Sequence, residues 1–422
     1  MKSIFHYCQG ESHKSTDKAC QDCAYAESSE NLSMAIVCDG HGGERYFRSR
    51  YGSEMAVEIT RKAICDFVNS MEELSLTKSK RGARSVFDGE AFRAYSAATA
   101  TDNQVTNMAH RALMWLFSSI ISQWNDAIAK DAKERDLDEW EQEHVEQKYK
   151  DEFLAKRETE DATFEKTYGC TLMAYVQTPE YWFAFHLGDG KCVFMQIEDG
   201  KLVCNQPIPW DDRCFLNKTT SLCDSQALEE FRYCYQGNGE FPRAVFLGSD
   251  GLDDSYGDGD NLHNFYIEVF KMIIKKGEEA TLKELRKSLP LISKVGSKDD
   301  MSVACVYDDT ALLATFNYLI ECQQAMLDEQ ANAINQRIDL LKQKIEGFCD
   351  PEKLSQGEAI NLEYAKKDLE KAQEKAKKID YKMRNLKGQK TKFQKQYLSE
   401  SDDSSENEED SPSLEILPEN EE

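Results

Sequence analysis

Three apolar runs in this chain stop in the same way. Ala35-Ile36-Val37-Cys38 runs into Asp39-Gly40-His41-Gly42-Gly43, Phe185-His186-Leu187 into Gly188-Asp189-Gly190, and Phe246-Leu247-Gly248 into Ser249-Asp250-Gly251. Taken singly, an Asp-Gly step after a β-like run is an ordinary surface turn. Repeated three times, with Lys298-Asp299-Asp300 just ahead of the apolar run Met301–Tyr307, it asks for a sheet whose strand ends meet on one rim and gather their acids. Carboxylates held together repel one another unless cations neutralise them, so the pattern implies hard divalent ions, Mg²⁺ or Mn²⁺, on oxygen ligands. Two such ions about 3.5–4 Å apart polarise a phosphoryl group and ionise a bridging water, which makes phosphate-ester hydrolysis the matching reaction. His41, just after Asp39-Gly40, then stands on the leaving-group side as a general acid. A ring that only packs or orders water is the plainer alternative.

The residues around these runs predict a mixed α+β domain over 1–308. Ser33–Cys38, Thr171–Gln177, Trp182–Leu187, Cys192–Ile197, Ala244–Gly248 and Met301–Tyr307 are rich in Val, Ile, Phe, Tyr or Met, and several alternate, which predicts a sheet with one wetter face. Between Ala56 and Lys166 the pattern is helical. Residues 126–165 hold 15 acidic and 7 basic side chains, which predicts helix on a solvated surface. Ser75 to Thr106, with Lys78-Ser79-Lys80-Arg81-Gly82 inside it, predicts a flexible excursion outside the core. Residues 75–166 thus read as a helical, acidic insertion.

After Asp308-Asp309 the pattern changes. Leu327, Ala331, Ile334, Ile338, Leu341, Ile345 and Phe348 alternate steps of four and three; past Gly347, Asp350-Pro351 and Gly357 the seam resumes at Leu362, Ala365, Leu369, Ala372, Ala376, Ile379, Met383 and Leu386. Two seams with a short break between them predict an antiparallel coiled-coil hairpin over 311–398, a surface for a protein partner. Residues 399–422 carry 11 acidic side chains and no Lys or Arg, which predicts a disordered acidic tail.

Charge and cysteine content limit the function classes. The 422 residues carry 52 Lys+Arg against 77 Asp+Glu, a net charge of −25, so bare nucleic acid and anionic lipid are unfavourable partners. The longest apolar stretch, Ala112 to Ile121, is far shorter than a bilayer crossing, and the first residues make a poor secretory signal. Fourteen cysteines scattered singly in apolar contexts read as reduced thiols, hence a cytoplasmic setting; Cys20-x-x-Cys23 lacks the second pair a zinc site needs.

The blocks Asp39-Gly40-His41-Gly42-Gly43, Gly169-Cys170-Thr171, Leu187-Gly188-Asp189-Gly190, Ser249-Asp250-Gly251-Leu252-Asp253-Asp254 and Asp299-Asp300-Met301-Ser302-Val303 follow one another as in the metal-dependent Ser/Thr protein phosphatases of the type 2C (PPM) family, which residues 1–308 resemble. Gly10-x-Ser12-His13 followed by Cys20-Gln21-Asp22 is similar to its bacterial branch. The resemblance implies two antiparallel sheets in a sandwich flanked by helices, α-β-β-α, with the metal cleft at one end. It implies that Asp39 bridges two metals, Gly40 offers its carbonyl, Asp250 and Asp299 each ligate a metal, Asp22 acts through bound water, and Asp189 holds a weaker third ion. Phosphoserine or phosphothreonine in proteins is the implied substrate, attacked directly by a metal-bridging water.

The chain also departs from that family. No arginine precedes Arg45 to grip the substrate phosphate, a task left to His13, Lys14, Lys18 or Arg45. Lys191 stands where an arginine is common, and Asp300 replaces an asparagine, either strengthening cation binding or facing water. A phosphoprotein-binding scaffold without turnover, and a phosphatase of small phosphorylated metabolites, are the competing functions. The presence of Asp39, Asp250 and Asp299 favours turnover over the scaffold.

Overall fold

The computed structural model describes residues 1–77, 85–96, 108–160, 162–198, 201–214, 218–257, 259–308, 312–348 and 355–398. In chain order the first elements are β1 (Lys2–Cys8), α1 (Glu11–Lys14), β2 (Cys23–Ser28), β3 (Ser33–Cys38), α2 (Ser49–Thr77), β4 (Arg93–Ser96), α3 (Met108–Glu134), α4 (Glu139–His144), α5 (Gln147–Arg157) and α6 (Glu165–Tyr168). There follow β5 (Leu172–Gln177), β6 (Trp182–Leu187), β7 (Lys191–Glu198), β8 (Lys201–Asn205), α7 (Ala227–Glu230), β9 (Arg232–Gln236), β10 (Ala244–Gly248), α8 (Asp250–Tyr256), α9 (Gly259–Val295) and β11 (Met301–Tyr307). Two long helices close the chain, α10 (Leu312–Glu346) and α11 (Gln356–Leu398).

The strands form two antiparallel sheets, one ordered β1-β11-β10-β7-β8 and the other β2-β3-β5-β6-β9-β4. Val37, Met173, Tyr175, Phe194, Leu247 and Val306 fill the space between them. On the outer face of the second sheet α2 and α3 contribute Ile64, Phe117, Ile120 and Trp124. On the first sheet α9 stacks Tyr266 on Phe246, ring centroids 4.6 Å apart. The order is helix, sheet, sheet, helix.

This layering overturns the expected wetter face. Every residue of β3, β5, β6, β9, β10 and β11 is buried, because one side meets the opposite sheet and the other meets helices. The edge strands β1 and β2 keep partly exposed positions, as do Lys191, Gln196 and Glu198 of β7. The 75–106 stretch is also not wholly outside the core. Phe87 is fully buried and stacks on Tyr181 and Phe183, and β4 pairs with β9 from Arg93 opposite Tyr235 to Ser96 opposite Arg232. The basic run at 78–82 lies outside the described residues.

The acidic 126–165 segment is likewise only half solvated. Ile128, Ala132 and Phe153 are buried, and so is Glu141, which closes a capping box on Asp138 at the start of α4 and accepts from Arg48, just ahead of α2. An acid stays inside there because a guanidinium meets it in fork geometry.

The described residues divide into two compact units, the second made chiefly of α10 and α11. Within it Ile334, Ile338, Ala372 and Ile379 are buried together, with Leu327, Ala331, Leu341, Leu369, Ala376 and Met383 packed around them. Ile320, near the start of α10, lines one groove with Met383 and Leu386 of α11, so the two helices run in opposite directions. The acidic tail lies outside the described residues. Among the described residues no helix is long and apolar enough to cross a membrane, and the cysteines are free thiols.

Candidate active site

The pairing of β3 with β5 continues past the strand ends. Thr171 N–H donates to the Asp39 carbonyl (2.7 Å), Asp39 N–H to the Thr171 hydroxyl (3.0 Å) and His41 N–H to the Gly169 carbonyl (3.1 Å), with Gly40 opposite Cys170. The Asp39-Gly40-His41 corner is thereby zipped to Gly169-Cys170-Thr171. Position 40 admits only glycine, since a Cβ there would lie 2.6 Å from the Gln21 carbonyl oxygen. His41's own carbonyl accepts from the Ser49 hydroxyl (3.0 Å) and the Gln21 amide (3.2 Å), which fixes the turn from inside.

A second corner forms where β11 begins. Asp300 Oδ1 accepts from Gly10 N–H (2.6 Å) and meets His13 Nδ1 (2.9 Å), while Oδ2 accepts from Gln21 N–H (2.6 Å). Asp300 is 3% exposed, so it neither faces water nor presents a free carboxylate; both oxygens tie the 10–21 segment to the sheet. A Cβ on Gly10 would come 2.3 Å from the Asp299 carbonyl carbon, so the backbones of 10 and 299 touch directly. Ser249 and Ser302 exchange hydrogen bonds, Ser249 N–H to the Ser302 carbonyl (3.2 Å) and Ser302 N–H to Ser249 Oγ (3.0 Å). That exchange sets Asp250, in the first turn of α8, against the Asp299 corner.

The acids feel one another. Burial, then the charges of Asp250, Asp22 and Asp299, hold the Asp39 carboxyl well above the usual range. Asp22 is raised by burial and by Asp300 and Asp250, against the opposing hydroxyls of Ser249 and Ser302. Burial brings Asp250 to about 7, its bond with Asp39 working the other way and Asp189, Asp299 and Asp254 adding to the rise. Asp189 is raised by burial, opposed by the Thr219 hydroxyl. One buried oxygen of Asp22, Oδ2, and one of Asp250, Oδ1, have no hydrogen-bond partner.

Among the described residues no three His, Cys, Asp or Glu side chains stand in a ready-made ion cage. The acids instead meet in pairs, Asp39 bonded to Asp250. Even so the donor set fits a hard cation: it is all oxygen, Asp22 is buried with Asp39 and Asp250 half-buried beside it, and two of its oxygens, shut off from solvent, are unused. Such oxygens are costly unless something positive reaches them.

The residues expected at the substrate phosphate scatter. His13 is bonded to Asp300, Lys14 pairs with Glu11 at the surface (3.1 Å), and Arg45 is exposed with its guanidinium 5.3 Å from the Tyr46 ring centre. Lys18 is half-buried and donates to the Gly42 carbonyl (2.9 Å). Burial lowers the Lys18 ammonium's pKa, and Asp300 and Asp299 oppose that shift, so its charge borders the acid rim. Lys191 pairs with Asp253 (3.3 Å) and lies over the Trp210 ring (3.7 Å). Arg232, buried on β9, donates to the Gly188 carbonyl and braces the turn that carries Asp189.

Around His41 stand residues the sequence reading passed over. Its Nε2 is 2.7 Å from Ser221 Oγ, and the Tyr46 ring packs edge-on at 4.8 Å. Burial lowers the imidazole's pKa to about 4, with Asp224 opposing and Lys166 assisting. Lys166 and Asp224 pair with each other at 2.8 Å. Ser221 lies in a loop with no β-like or helical period, so no pattern singles it out.

A helix-flanked sandwich of two antiparallel sheets with acids gathered at its strand ends is an architecture suited to a metal-dependent phosphatase. The family model described as Protein phosphatase 2C matches residues 9–289, and the chain belongs to that family of protein serine/threonine phosphatases. Solved structures similar to the chain include the serine/threonine phosphatase Stp1 from Staphylococcus aureus (15% identity, 73% of this chain and 95% of that one, TM-score 0.39). They also include the Mycobacterium tuberculosis phosphatase PstP/Ppp (14%, 73% and 98%, TM-score 0.37) and the catalytic domain of PstP in complex with two manganese ions (14%, 73% and 98%, TM-score 0.38). No curated protein sequence matches the chain.

Proposed function

We propose that the chain hydrolyses phosphoserine and phosphothreonine in proteins, with Asp39, Gly40, Asp22, Asp250 and Asp299 holding two divalent ions, Mg²⁺ or Mn²⁺, and Asp189 helping to hold a third. The observation that carries this is the gathering of the Asp39, Asp22 and Asp250 carboxyls, each held above the usual range chiefly by burial, around two buried oxygens with no hydrogen-bond partner. When bound, the ions supply charge that offsets the phosphoryl oxygens and makes water a stronger acid. The chain's residues do the rest. Water oxygen bonds to phosphorus, keeping one proton on the product phosphate and losing the other to solvent, the ester P–O bond breaks with its electron pair left on the serine or threonine oxygen, and His41 gives that oxygen a proton. The incoming phosphoryl charge favours the imidazolium that burial alone disfavours. Lys18 and Arg45 are better placed than His13 or Lys14 to meet that phosphate, because His13 is committed to Asp300 and Lys14 to Glu11.

The test is turnover of a phosphopeptide panel with Mg²⁺, Mn²⁺, Zn²⁺ or chelator. Mg²⁺ or Mn²⁺ should support hydrolysis, and zinc, which suits softer tetrahedral sites, should not. Full activity in chelator overturns the reading. Binding of phosphopeptides without release of phosphate favours the scaffold instead.

The division of the chain is also part of the proposal: 1–308 as the catalytic domain, 311–398 as a coiled-coil hairpin that meets a protein partner, and 399–422 as an acidic tail. The apolar stripe buried within α10 and α11 supports an independent hairpin. Cutting the chain after Asp309 should leave hydrolysis of an aryl phosphate within about twofold of the full chain, as expected of a module that buries its own apolar stripe and supplies none of the proposed site residues. An insoluble or inactive product refutes separability.

A further inference from the structure

Ser221 Oγ sits at the junction of four groups. It is 2.7 Å from His41 Nε2, 3.0 Å from the Cys170 carbonyl oxygen, 3.2 Å from the Cys223 backbone nitrogen and 3.2 Å from Cys223 Sγ. Ser221 is 1% exposed, so water does not supply what the protein leaves out. A hydroxyl has one hydrogen to give and two lone pairs with which to accept. Cys223 N–H can only donate, and the Cys170 carbonyl can only accept. The carbonyl also takes the Leu222 N–H (3.0 Å), so Ser221 fills its second lone pair.

One arrangement satisfies every strong group. The hydroxyl donates to Cys170, accepts from Cys223 N–H, and accepts again from an N–H on His41 Nε2. Turned the other way, with the hydroxyl donating to His41, it makes one strong bond fewer in a dry pocket. Unmade bonds of buried groups cost about 1–3 kcal/mol each. The imidazolium leaves no choice at all, because its Nε2 carries hydrogen and needs an acceptor. Among the described residues Nδ1 of His41 makes no protein hydrogen bond.

We propose that Ser221 is the positioning residue of His41: it anchors Nε2–H, fixes the tautomer, and leaves Nδ1 as the nitrogen that yields the proton to the leaving oxygen. The inference rests on His41 acting as the general acid. Asp224 Oδ2 accepts from Ser221 N–H (3.0 Å) and Asp224 Oδ1 pairs with Lys166, so the anchor is itself held. When Nδ1–H transfers its proton, the ring becomes the neutral Nε2–H form that Ser221 already accepts, and no heavy atom needs to turn.

The test compares the full chain with His41→Ala, Ser221→Ala, Ser221→Thr and the double alanine variant, on a phosphoserine peptide and an aryl phosphate. Ser221→Ala should lower kcat on the peptide roughly 10- to 100-fold, the range for losing a partner that orients an active histidine. The aryl phosphate, whose leaving group needs no proton, should change little. Ser221→Thr should recover most of the loss, and adding Ser221→Ala to His41→Ala should cost nothing more. Independently of turnover, the ¹⁵N spectrum of the histidine-labelled protein should show His41 protonated at Nε2, and Ser221→Ala should mix the tautomers. If His41→Ala slows both substrates alike, the general-acid reading itself fails. If His41→Ala separates the substrates but Ser221→Ala does not, or the ring is protonated at Nδ1 alone, the role of Ser221 is overturned.

Discussion

Asp39→Asn should abolish divalent-ion binding and phosphopeptide turnover together. The substitution keeps the side chain's shape and removes the charge that meets Asp250 and Asp22. Losing an ion's stabilisation of the transferring phosphoryl group removes several kcal/mol, so turnover should fall by roughly 10³-fold or more. Folding should not suffer: in chelator the variant should melt at or above the parent's temperature, because one of several clustered, mutually repelling carboxylates has gone. Calorimetric titration with Mn²⁺, beside melting in chelator, separates the two effects. Unchanged ion binding in Asp39→Asn would refute the assignment of Asp39 as the bridging ligand.

Arg48→Ala should have the largest effect on stability. The guanidinium is fully buried, with Nε and Nη2 on Glu141 (2.8 and 3.0 Å), Nη1 on the Tyr168 hydroxyl (3.1 Å), Nη2 on the Asp136 carbonyl (2.9 Å), and the Phe153 ring beneath it at 4.5 Å. Removing it strands Glu141, itself 2% exposed, without a counter-charge. Breaking a buried pair in this way costs about 3–5 kcal/mol, visible as a lower denaturation midpoint. Replacing both members with apolar residues, Arg48→Met with Glu141→Leu, should recover much of the loss, since it removes the stranded charge. A single variant that loses less than about 1 kcal/mol would make the pair a surface-like contact of little weight. Arg48 also stands next to Ser49, whose hydroxyl holds the His41 carbonyl, so activity should decline at temperatures where the fold still survives.

The difference between these two sites explains how much was legible beforehand. Asp39, Asp189 and Asp250 each end a β-like run at a glycine, and a local pattern of that kind survives in one dimension. The strands themselves were equally readable where they are mostly apolar, as in Ser33–Cys38 and Trp182–Leu187. β4 was not, because Arg93-Ala94-Tyr95-Ser96 has no period of its own and becomes a strand by pairing with β9. Glu141 reads as one more acid in a charged helix, and only its meeting with Arg48 takes it inside. Asp300 looked like an extra ligand or a surface charge because the groups it binds, Gly10, His13 and Gln21, are nearly the whole domain away in sequence. Ser221 meets His41 across 180 residues.

The sequence alone determined which chemistry was available: four acids at strand ends, a histidine beside the first of them, and two apolar seams that need each other. Those are properties of neighbouring residues, set by periodicity and by the glycines that end each run. The tertiary structure decided which polar groups are spent on holding the fold and which are left for work. Asp300 and His13 satisfy each other and two backbone amides, whereas Asp22 and Asp250 each keep a buried oxygen with no partner. Partner and spectator cannot be told apart along the chain, because a hydrogen bond depends on a few tenths of an ångström between residues that only folding brings together.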